Sequence, residues 1–99
     1  MPSYRLSGAA RKDLKEIATY TFREWGEAQM RKYVQGLHSC FEHLTSHPAA
    51  MGRPSDSLSP GLKRFETGKH VIFYLQESDQ IAVIRILHQQ TLPAPESFN

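Results

Sequence analysis

The chain has 99 residues, of which 39% are hydrophobic and 22% are charged, and its formal net charge is +2. This length supports one compact domain rather than two, and the composition is that of a folded protein rather than a disordered one. The mild positive charge permits contact with an acidic partner but is too small for a protein that coats DNA. No apolar run approaches the ~20 residues that a membrane helix needs, so we expect no membrane contact.

The cysteine content bears on the cellular compartment. Cys40 is the single cysteine, and no basic-then-apolar leader precedes the first polar residues. Both features predict a cytoplasmic protein. Cys40 falls on the expected inner side of a helix, which favours a small buried hydrophobe over a reactive thiol.

The first predicted elements are a short strand from Tyr4 to Ser7 and a helix that Ser7 caps. The helix carries its apolar residues on one side and its charged residues mostly on the other. The apolar side comprises Ala10, Leu14, Ile17, Ala18 and Trp25. Gly26 follows directly, and because glycine adopts the left-handed conformation that closes helices, it predicts a corner between two helices.

A second helix is predicted from about Glu27 to Ser46. Its apolar residues alternate spacings of four and three, which is the pattern of a continuous helical seam. The seam comprises Met30, Val34, Leu37, Phe41 and Leu44. Because the connection between the helices is short, we expect an antiparallel helical hairpin whose apolar face packs on a sheet.

The C-terminal half predicts a loop followed by a sheet. The segment from His47 to Gly61 is rich in proline, glycine and serine, which is typical of a loop. Three strands are predicted after it: Leu62 to Thr67, His70 to Gln76, and a last strand that ends near His88. The predicted fold class is therefore α+β, with an N-terminal strand, an antiparallel helical hairpin and a three-stranded antiparallel meander. One domain should span residues 1–90, and an irregular tail should span 91–99.

The last strand predicts an interaction surface. Regular alternation divides it into two sets that are both largely apolar: Ile81, Val83, Arg85 and Leu87, and Ala82, Ile84, Ile86 and His88. Since the helical hairpin can cover only one face of the sheet, we expect the other face to bind a partner segment. The predicted partner-binding residues are Ile72, Tyr74, Ile81, Val83, Arg85 and Leu87.

The polar residues of this half do not predict a catalytic set. Arg85 and His88 lie three positions apart, so in a regular strand they point to opposite faces unless a bulge or a strand end intervenes. Arg85 alternatively forms a cross-strand pair with a carboxylate such as Glu66. We therefore expect no joint active site of Arg85 and His88. The sequence has no glycine-rich phosphate loop, nucleophile elbow or CxxC motif, so we expect no cofactor.

Two other groups of residues have structural interpretations. His38, His43 and His47 lie about a turn apart on the second helix, but no acidic or thiolate partner is fixed nearby, so we expect solvated surface and no metal site. Trp25 and Tyr33 are predicted to pack within the hairpin rather than to stack on a ligand.

Short motifs in a fixed order along most of the chain indicate a family. They are Tyr4 to Ser7, Ala10, Asp13, Leu14, Ile17, Tyr20-Thr21, Trp25-Gly26, Gln29, Tyr33, Leu37, Pro48, Gly52-Arg53, Leu58, Gly61-Leu62, Gly68, His70-Val71, Phe73-Tyr74 and Arg85 to Gln89. In this order and spacing the chain resembles the ParE toxins of the ParE/RelE superfamily, the toxin halves of bacterial type II toxin–antitoxin modules.

The resemblance implies a small α+β fold in which the N-terminal strand joins the meander in an antiparallel sheet. It implies a ParD-like antitoxin whose disordered C-terminal segment folds onto the toxin. It also implies DNA gyrase as the target, inhibited by binding rather than by catalysis. DNA contact is expected only indirectly, through the antitoxin.

Two alternatives stay open. The RelE-like toxins cut ribosome-bound mRNA, which needs groups that move protons and cations near the phosphate. The candidates on or beside the sheet are Arg64, His70, Tyr74, Arg85 and His88, and Arg64, Arg85 and His88 would be the catalytic set. The chain also departs from the family after the His-Gln pair. Members commonly continue there into a Met-Asp helical segment implicated in toxicity, whereas this sequence runs from Gln90 to Pro95 with two prolines. The second alternative is therefore a non-toxic antitoxin-binding module.

Overall fold

The computed structural model describes residues 3–47, 52–56 and 58–90. Two helices lie between the first strand and the rest of the sheet: α1 (Gly8–Trp25) and α2 (Glu27–Ser46). The strands are β1 (Ser3–Leu6), β2 (Arg53–Pro54), β3 (Lys63–Thr67), β4 (His70–Gln76) and β5 (Gln80–His88). The predicted α+β class, both helices and the meander are confirmed. The predicted irregular tail over 91–99 lies outside the described residues.

Ser7 caps the start of α1 as predicted, and Gly26 follows its last residue. The Ser7 hydroxyl accepts a hydrogen bond from the Ala10 N–H at 3.0 Å and donates one to the Ile84 carbonyl at 2.7 Å. At the other end Gly26 has the expected positive φ of 89°, but its ψ of 175° lies outside the left-handed helical region. Its N–H donates to the Phe22 carbonyl at 2.9 Å. Ser7 therefore fixes the start of α1 against β5, and Gly26 makes the corner between the helices.

The sheet is mixed, with the strand order β1-β5-β4-β3-β2. β1 pairs with β5 in parallel, and the other pairs are antiparallel. The expected antiparallel placement of the N-terminal strand is therefore wrong. A short turn forces its two strands to be antiparallel, but β1 and β5 are separated by the whole helical hairpin and the meander, and a connection of that length permits a parallel pair.

A short strand lies within the segment predicted as a loop. Arg53 and Pro54 of β2 pair with Arg64 and Lys63 of β3 at the edge of the sheet. Proline is tolerated there because an edge strand need not donate on its outer side. Two residues are too few to show a period of two, which is why the sequence pattern did not predict this strand.

A β-bulge interrupts β5. Phe73 is opposite Arg85 and Tyr74 is opposite Val83, so Ile84 has no partner on β4. The extra residue reverses the alternation, and the core-facing positions change from odd-numbered residues before the bulge to even-numbered residues after it. One apolar face, made by Ile81, Val83 and Ile86, therefore looks like two in the sequence.

The bulge corrects the predicted partner-binding surface. Ile72, Tyr74, Ile81 and Val83 are at most 1% exposed and belong to one core cluster with Leu37, Phe41 and Leu44 of α2. These four residues hold the helices on the sheet, so they present no docking surface in this structure. Phe73 and Ala82 of the opposite face are buried as well. Arg85 and Leu87 are partly exposed, and their contact with a partner stays a prediction.

Neither helix has an apolar stretch of the length and hydropathy required to cross a bilayer, as judged over the described residues.

Candidate functional site

A cleft of about 880 Å³ opens between the second half of α1, the first turns of α2, the Gly68-Lys69 turn and the end of β5. We call it the hairpin cleft. Its aromatic and aliphatic side chains include Ile17, Tyr20, Trp25, Tyr33 and Leu87, and its charged and titratable side chains include Asp13, Glu16, Lys69, His70, Arg85 and His88. An apolar concave surface with a few polar groups is the usual form of a binding site.

Exposed aromatic rings form one wall of the hairpin cleft. Tyr20 is 61% exposed and Trp25 is 67% exposed. The prediction that Trp25 packs within the hairpin is wrong. Trp25 follows Ile17 by two steps of four residues, and since each such step rotates a side chain by about 40°, it has turned about 80° away from the buried stripe. Large exposed rings beside a cleft are typical of a protein interaction site.

Asp13 and Arg85 form a bidentate ion pair at the inner end of the cleft. Arg85 Nε and Nη2 donate to the two Asp13 carboxylate oxygens at 2.7 and 2.9 Å. Both side chains are largely buried, and the hydrogen bonds from Arg85 to Asp13 raise the pKa of Arg85. The alternative pairing with Glu66 is not formed, because Glu66 pairs with Arg53 on β2. Arg85 is thus neutralised by α1 rather than by a neighbouring strand.

Tyr33, His70 and His88 meet in the lining of the hairpin cleft. The Tyr33 hydroxyl lies 2.5 Å from His70 Nδ1, and the ring centroids of His70 and His88 are 5.5 Å apart. Burial, and next the neighbouring His88, lower the pKa of His70 below that of an ordinary histidine. His70 is therefore held in its neutral form near physiological pH.

The Gly68-Lys69 turn is fixed to this cluster. The Lys69 N–H donates to the Tyr33 oxygen at 3.3 Å, and Gln89 bonds both the Gly68 and Lys69 carbonyls at 2.9 Å. A Cβ at Gly68 would stand 3.0 Å from the Tyr33 hydroxyl, and Gly68 has a φ of 55°. Tyr33 therefore joins α2 to the sheet. The prediction that Tyr33 packs within the hairpin accounts for its ring but not for the hydrogen bonds of its hydroxyl.

The structure brings together two of the three residues predicted as the catalytic set of an mRNA interferase. Arg85 and His88 both line the hairpin cleft, because the Arg85 side chain turns toward α1 to reach Asp13. Arg64 lies on β3 opposite Phe73 and does not line the cleft. His70, a further candidate for this chemistry, also lines the cleft, whereas Tyr33 was not predicted as a site residue. The register of the hairpin, which places His70 opposite His88, is the signal that identifies the histidine pair.

The three histidines of α2 have different environments. His38 Nδ1 is hydrogen-bonded to the Tyr4 hydroxyl at 2.8 Å, so the prediction that it is solvated surface is wrong. His43 and His47 are exposed. Within the described ranges, no three or more histidine, cysteine, aspartate or glutamate side chains converge in a way that would hold a metal ion.

Comparison with known proteins connects this fold to a family. A model described as the ParE toxin of the type II toxin–antitoxin system parDE matches residues 4–93. A protein named Toxin ParE1 from Caulobacter vibrioides is 39% identical over 89 residues, which is 90% of this chain and 91% of the relative. A protein named Toxin ParE from Escherichia coli is 34% identical over 91 residues, which is 91% of this chain and 87% of the relative.

Solved structures show the same fold. A chain of the chromosomal ParDE toxin–antitoxin system from P. aeruginosa superposes with a TM-score of 0.76 at 23% identity, covering 89% of this chain and 96% of that one. A chain of the toxin–antitoxin complex RelBE2 from Mycobacterium tuberculosis superposes with a TM-score of 0.64 at 18% identity, covering 88% and 96%.

Proposed function

Because the chain belongs to the ParE toxin family of type II toxin–antitoxin systems, we propose that it inhibits DNA gyrase by binding and that a ParD-like antitoxin neutralises it in the cytoplasm. The observation that carries the proposal is the family match, which spans residues 4–93 and therefore includes both walls of the hairpin cleft. The proposed action is occupancy of a surface, without a cofactor.

The hairpin cleft is the proposed site for the antitoxin. Tyr20 and Trp25 offer two exposed rings beside a concave surface, and aromatic anchors of this kind carry much of the binding energy in protein interfaces. Glu16 and Lys69 add one charge of each sign to the lining. An antitoxin segment with apolar side chains at helical spacing would fill the cleft and cover both rings as it folds.

The environment of Arg85 supports binding rather than catalysis. A ribonuclease needs free cations around the phosphate, but the Arg85 guanidinium is already engaged by the Asp13 carboxylate in two hydrogen bonds. Arg64, the other cation considered for this role, lies outside the cleft lining. The cationic groups named for mRNA cleavage are therefore not assembled around one phosphate position.

Growth and enzyme assays together test the proposal. Induction of the chain in bacteria should stop growth and induce the DNA-damage response, and co-expression of the antitoxin from the neighbouring reading frame should restore growth. Purified protein should trap gyrase cleavage complexes on supercoiled plasmid and leave ribosome-bound mRNA intact.

Each contrary result identifies an alternative. Cleavage of ribosome-bound mRNA that is lost in His88→Ala would replace the gyrase proposal with an mRNA interferase. Normal growth together with tight binding of the antitoxin would replace it with a non-toxic antitoxin-binding module.

A further inference from the structure

Tyr33 fastens α2 to the end of the sheet through hydrogen bonds with His70 of β4 and with the Lys69 N–H, and the His88 ring contacts His70 from β5. We propose that Tyr33, His70 and His88 form a pH-responsive latch, closed when both histidines are neutral and loosened when His70 takes up a proton. This inference goes beyond the proposed function and does not depend on the identity of any partner.

The hydrogen bonds around Tyr33 favour one tautomer of His70. The Lys69 N–H donates to the Tyr33 oxygen at 3.3 Å, so the hydroxyl hydrogen is free to donate to His70 Nδ1 at 2.5 Å. In this arrangement Nδ1 is unprotonated and the ring hydrogen is on Nε2. The Lys69 N–H, the Tyr33 hydroxyl and His70 Nδ1 can keep these two hydrogen bonds together only while His70 is neutral.

His88 is constrained in the same way. Its Nδ1 accepts a hydrogen bond from the Gln90 N–H at 3.1 Å, so this ring also uses Nδ1 as an acceptor. His70 and His88 are directly opposite on β4 and β5, and their rings make an edge contact with centroids 5.5 Å apart. Two imidazolium ions at this separation would repel each other, so the neighbouring His88 disfavours a charge on His70.

The surroundings offer no compensation for a charge on His70. Among the described residues, no carboxylate is hydrogen-bonded to either imidazole. The other charged groups that line the cleft are Asp13 and Glu16 of α1, Lys69 of the turn and Arg85 of β5. The Asp13 carboxylate is engaged by Arg85, and the charge of Glu16 also acts on Arg85. Lys69, which precedes His70 in the chain, is itself a cation.

Protonation of His70 would turn an acceptor into a donor. Nδ1–H would then point at the Tyr33 oxygen, which already accepts from the Lys69 N–H, and the hydroxyl hydrogen would have to turn away. The tie between α2 and the Gly68-Lys69 turn would weaken, and that turn is part of the cleft wall. The latch therefore couples pH to the shape of the hairpin cleft.

The direction of the pH effect follows from linkage. Burial and His88 lower the pKa of His70 in the folded protein, so between this pKa and the ordinary histidine value the unfolded chain binds more protons than the folded one. In that window the free energy of unfolding rises with pH. The stabilisation is fully present above the ordinary histidine pKa and is lost as pH falls through the window.

Two measurements on the full chain test the latch. The first is a titration of the five histidines by NMR, with His70 assigned from its loss in His70→Gln. The second is the urea midpoint at about pH 7.5 and about pH 5, on either side of the ordinary histidine pKa. The wild-type His70 should titrate below the ordinary range, and the midpoint should fall at the lower pH.

The variants separate the latch from general acid sensitivity. Tyr33→Phe keeps the ring and removes the hydroxyl, so His70 should titrate closer to the ordinary value and the fall of the urea midpoint should shrink. His88→Gln should raise the His70 titration as well, because it removes the neighbouring imidazole. His43→Gln, at an exposed position of α2, is the matched control and should keep the wild-type profile.

The latch is wrong if His70 titrates in the ordinary range in the wild type. It is equally wrong if Tyr33→Phe leaves both the His70 titration and the midpoint difference unchanged. The gyrase and antitoxin assays are insensitive to either result at neutral pH, so failure of the latch and failure of the proposed function are distinguishable.

Discussion

Asp13 bonds Arg85 and the strand that carries it at the same time. One carboxylate accepts from Arg85 Nε and Nη2 and from the Ile86 N–H at 3.0 Å. Ile86 is the second residue after Ile84, which has no partner on β4, so the carboxylate of α1 holds the bulged part of β5. The pair therefore links the helical hairpin to the bulge of β5, after which the end of this strand lines the hairpin cleft.

The Asp13–Arg85 pair should be important for stability. Asp13→Ala should lower the free energy of unfolding by about 3 kcal/mol, because it leaves a largely buried guanidinium and a buried N–H without their acceptor. Arg85→Ala should cost about 2–3 kcal/mol, since the carboxylate keeps its bond to the Ile86 N–H. Urea unfolding of both single variants and the double variant measures these values.

The double variant provides the decisive comparison. Its loss should be smaller than the sum of the single losses, since neither charge is then left unpaired. The control is Arg31→Ala, which breaks an exposed ion pair with Glu27 on α2 and should cost less than about 0.5 kcal/mol. Strict additivity of Asp13→Ala and Arg85→Ala would show that the two side chains do not act as a pair.

Trp25 should be a binding anchor for the antitoxin. Trp25→Ala should weaken antitoxin binding by about 30-fold or more, the effect of losing an aromatic hot spot of about 2 kcal/mol. Isothermal titration of the purified chain with the antitoxin from the neighbouring reading frame measures the change. In the wild type, the fluorescence of this single tryptophan should shift to shorter wavelength on binding, because the ring becomes buried.

Phe22 is the matched control for Trp25. It is 55% exposed on the same helix but does not line the hairpin cleft. Phe22→Ala should therefore change antitoxin affinity by less than about threefold, the range of a peripheral contact. Equal losses in Phe22→Ala and Trp25→Ala, or no loss in either, would contradict the cleft as the antitoxin site.

Cys40 should react slowly with thiol reagents. Burial raises the pKa of this thiol, although a hydrogen bond with Thr67 partly opposes the effect, and the side chain packs against the core cluster. Because the thiolate is the reactive form, labelling by a small disulfide reagent near pH 8 should be at least about tenfold slower than for a free cysteine. Labelling in urea supplies the unfolded reference rate, and a native rate equal to it would refute the protected environment.

Local rules in the sequence predicted the helices correctly. Ser7 and Gly26 each act through one turn of backbone, and the seam of α2 repeats over several turns, so neighbouring residues are enough to determine the boundaries. The same is true of the tight turn at Gly68-Lys69. The class of fold could be predicted because these signals agree with one another.

The errors concern interactions between distant residues. The bulge at Ile84 arises where β5 passes α1, and a strict period of two cannot show it. The parallel pairing of β1 depends on the path of the whole chain, and the Asp13–Arg85 bond joins residues 72 positions apart. The predicted partner-binding set includes the core residues Ile81 and Val83 for this reason, since the alternation assigned to β5 placed them on the surface.

Gly52 and Gly36 should respond to alanine in opposite directions. A Cβ at Gly52 would overlap the Tyr74 hydroxyl, whose oxygen is hydrogen-bonded to the Gly52 backbone, and Tyr74 is fully buried in the core. Gly52→Ala should therefore lower the free energy of unfolding by about 1–3 kcal/mol, as overpacking does elsewhere. Urea unfolding near pH 7 measures the change.

Gly36 supplies the comparison within the same fold. It is an exposed position of α2 with no atom within 4 Å of a built Cβ, so Gly36→Ala should raise the free energy of unfolding by about 0.5–1 kcal/mol. The two substitutions add the same methyl group, yet they should change the free energy of unfolding in opposite directions, because only the methyl group at Gly52 meets a core side chain. Stabilisation by Gly52→Ala would mean that Tyr74 does not pack against the segment before β2.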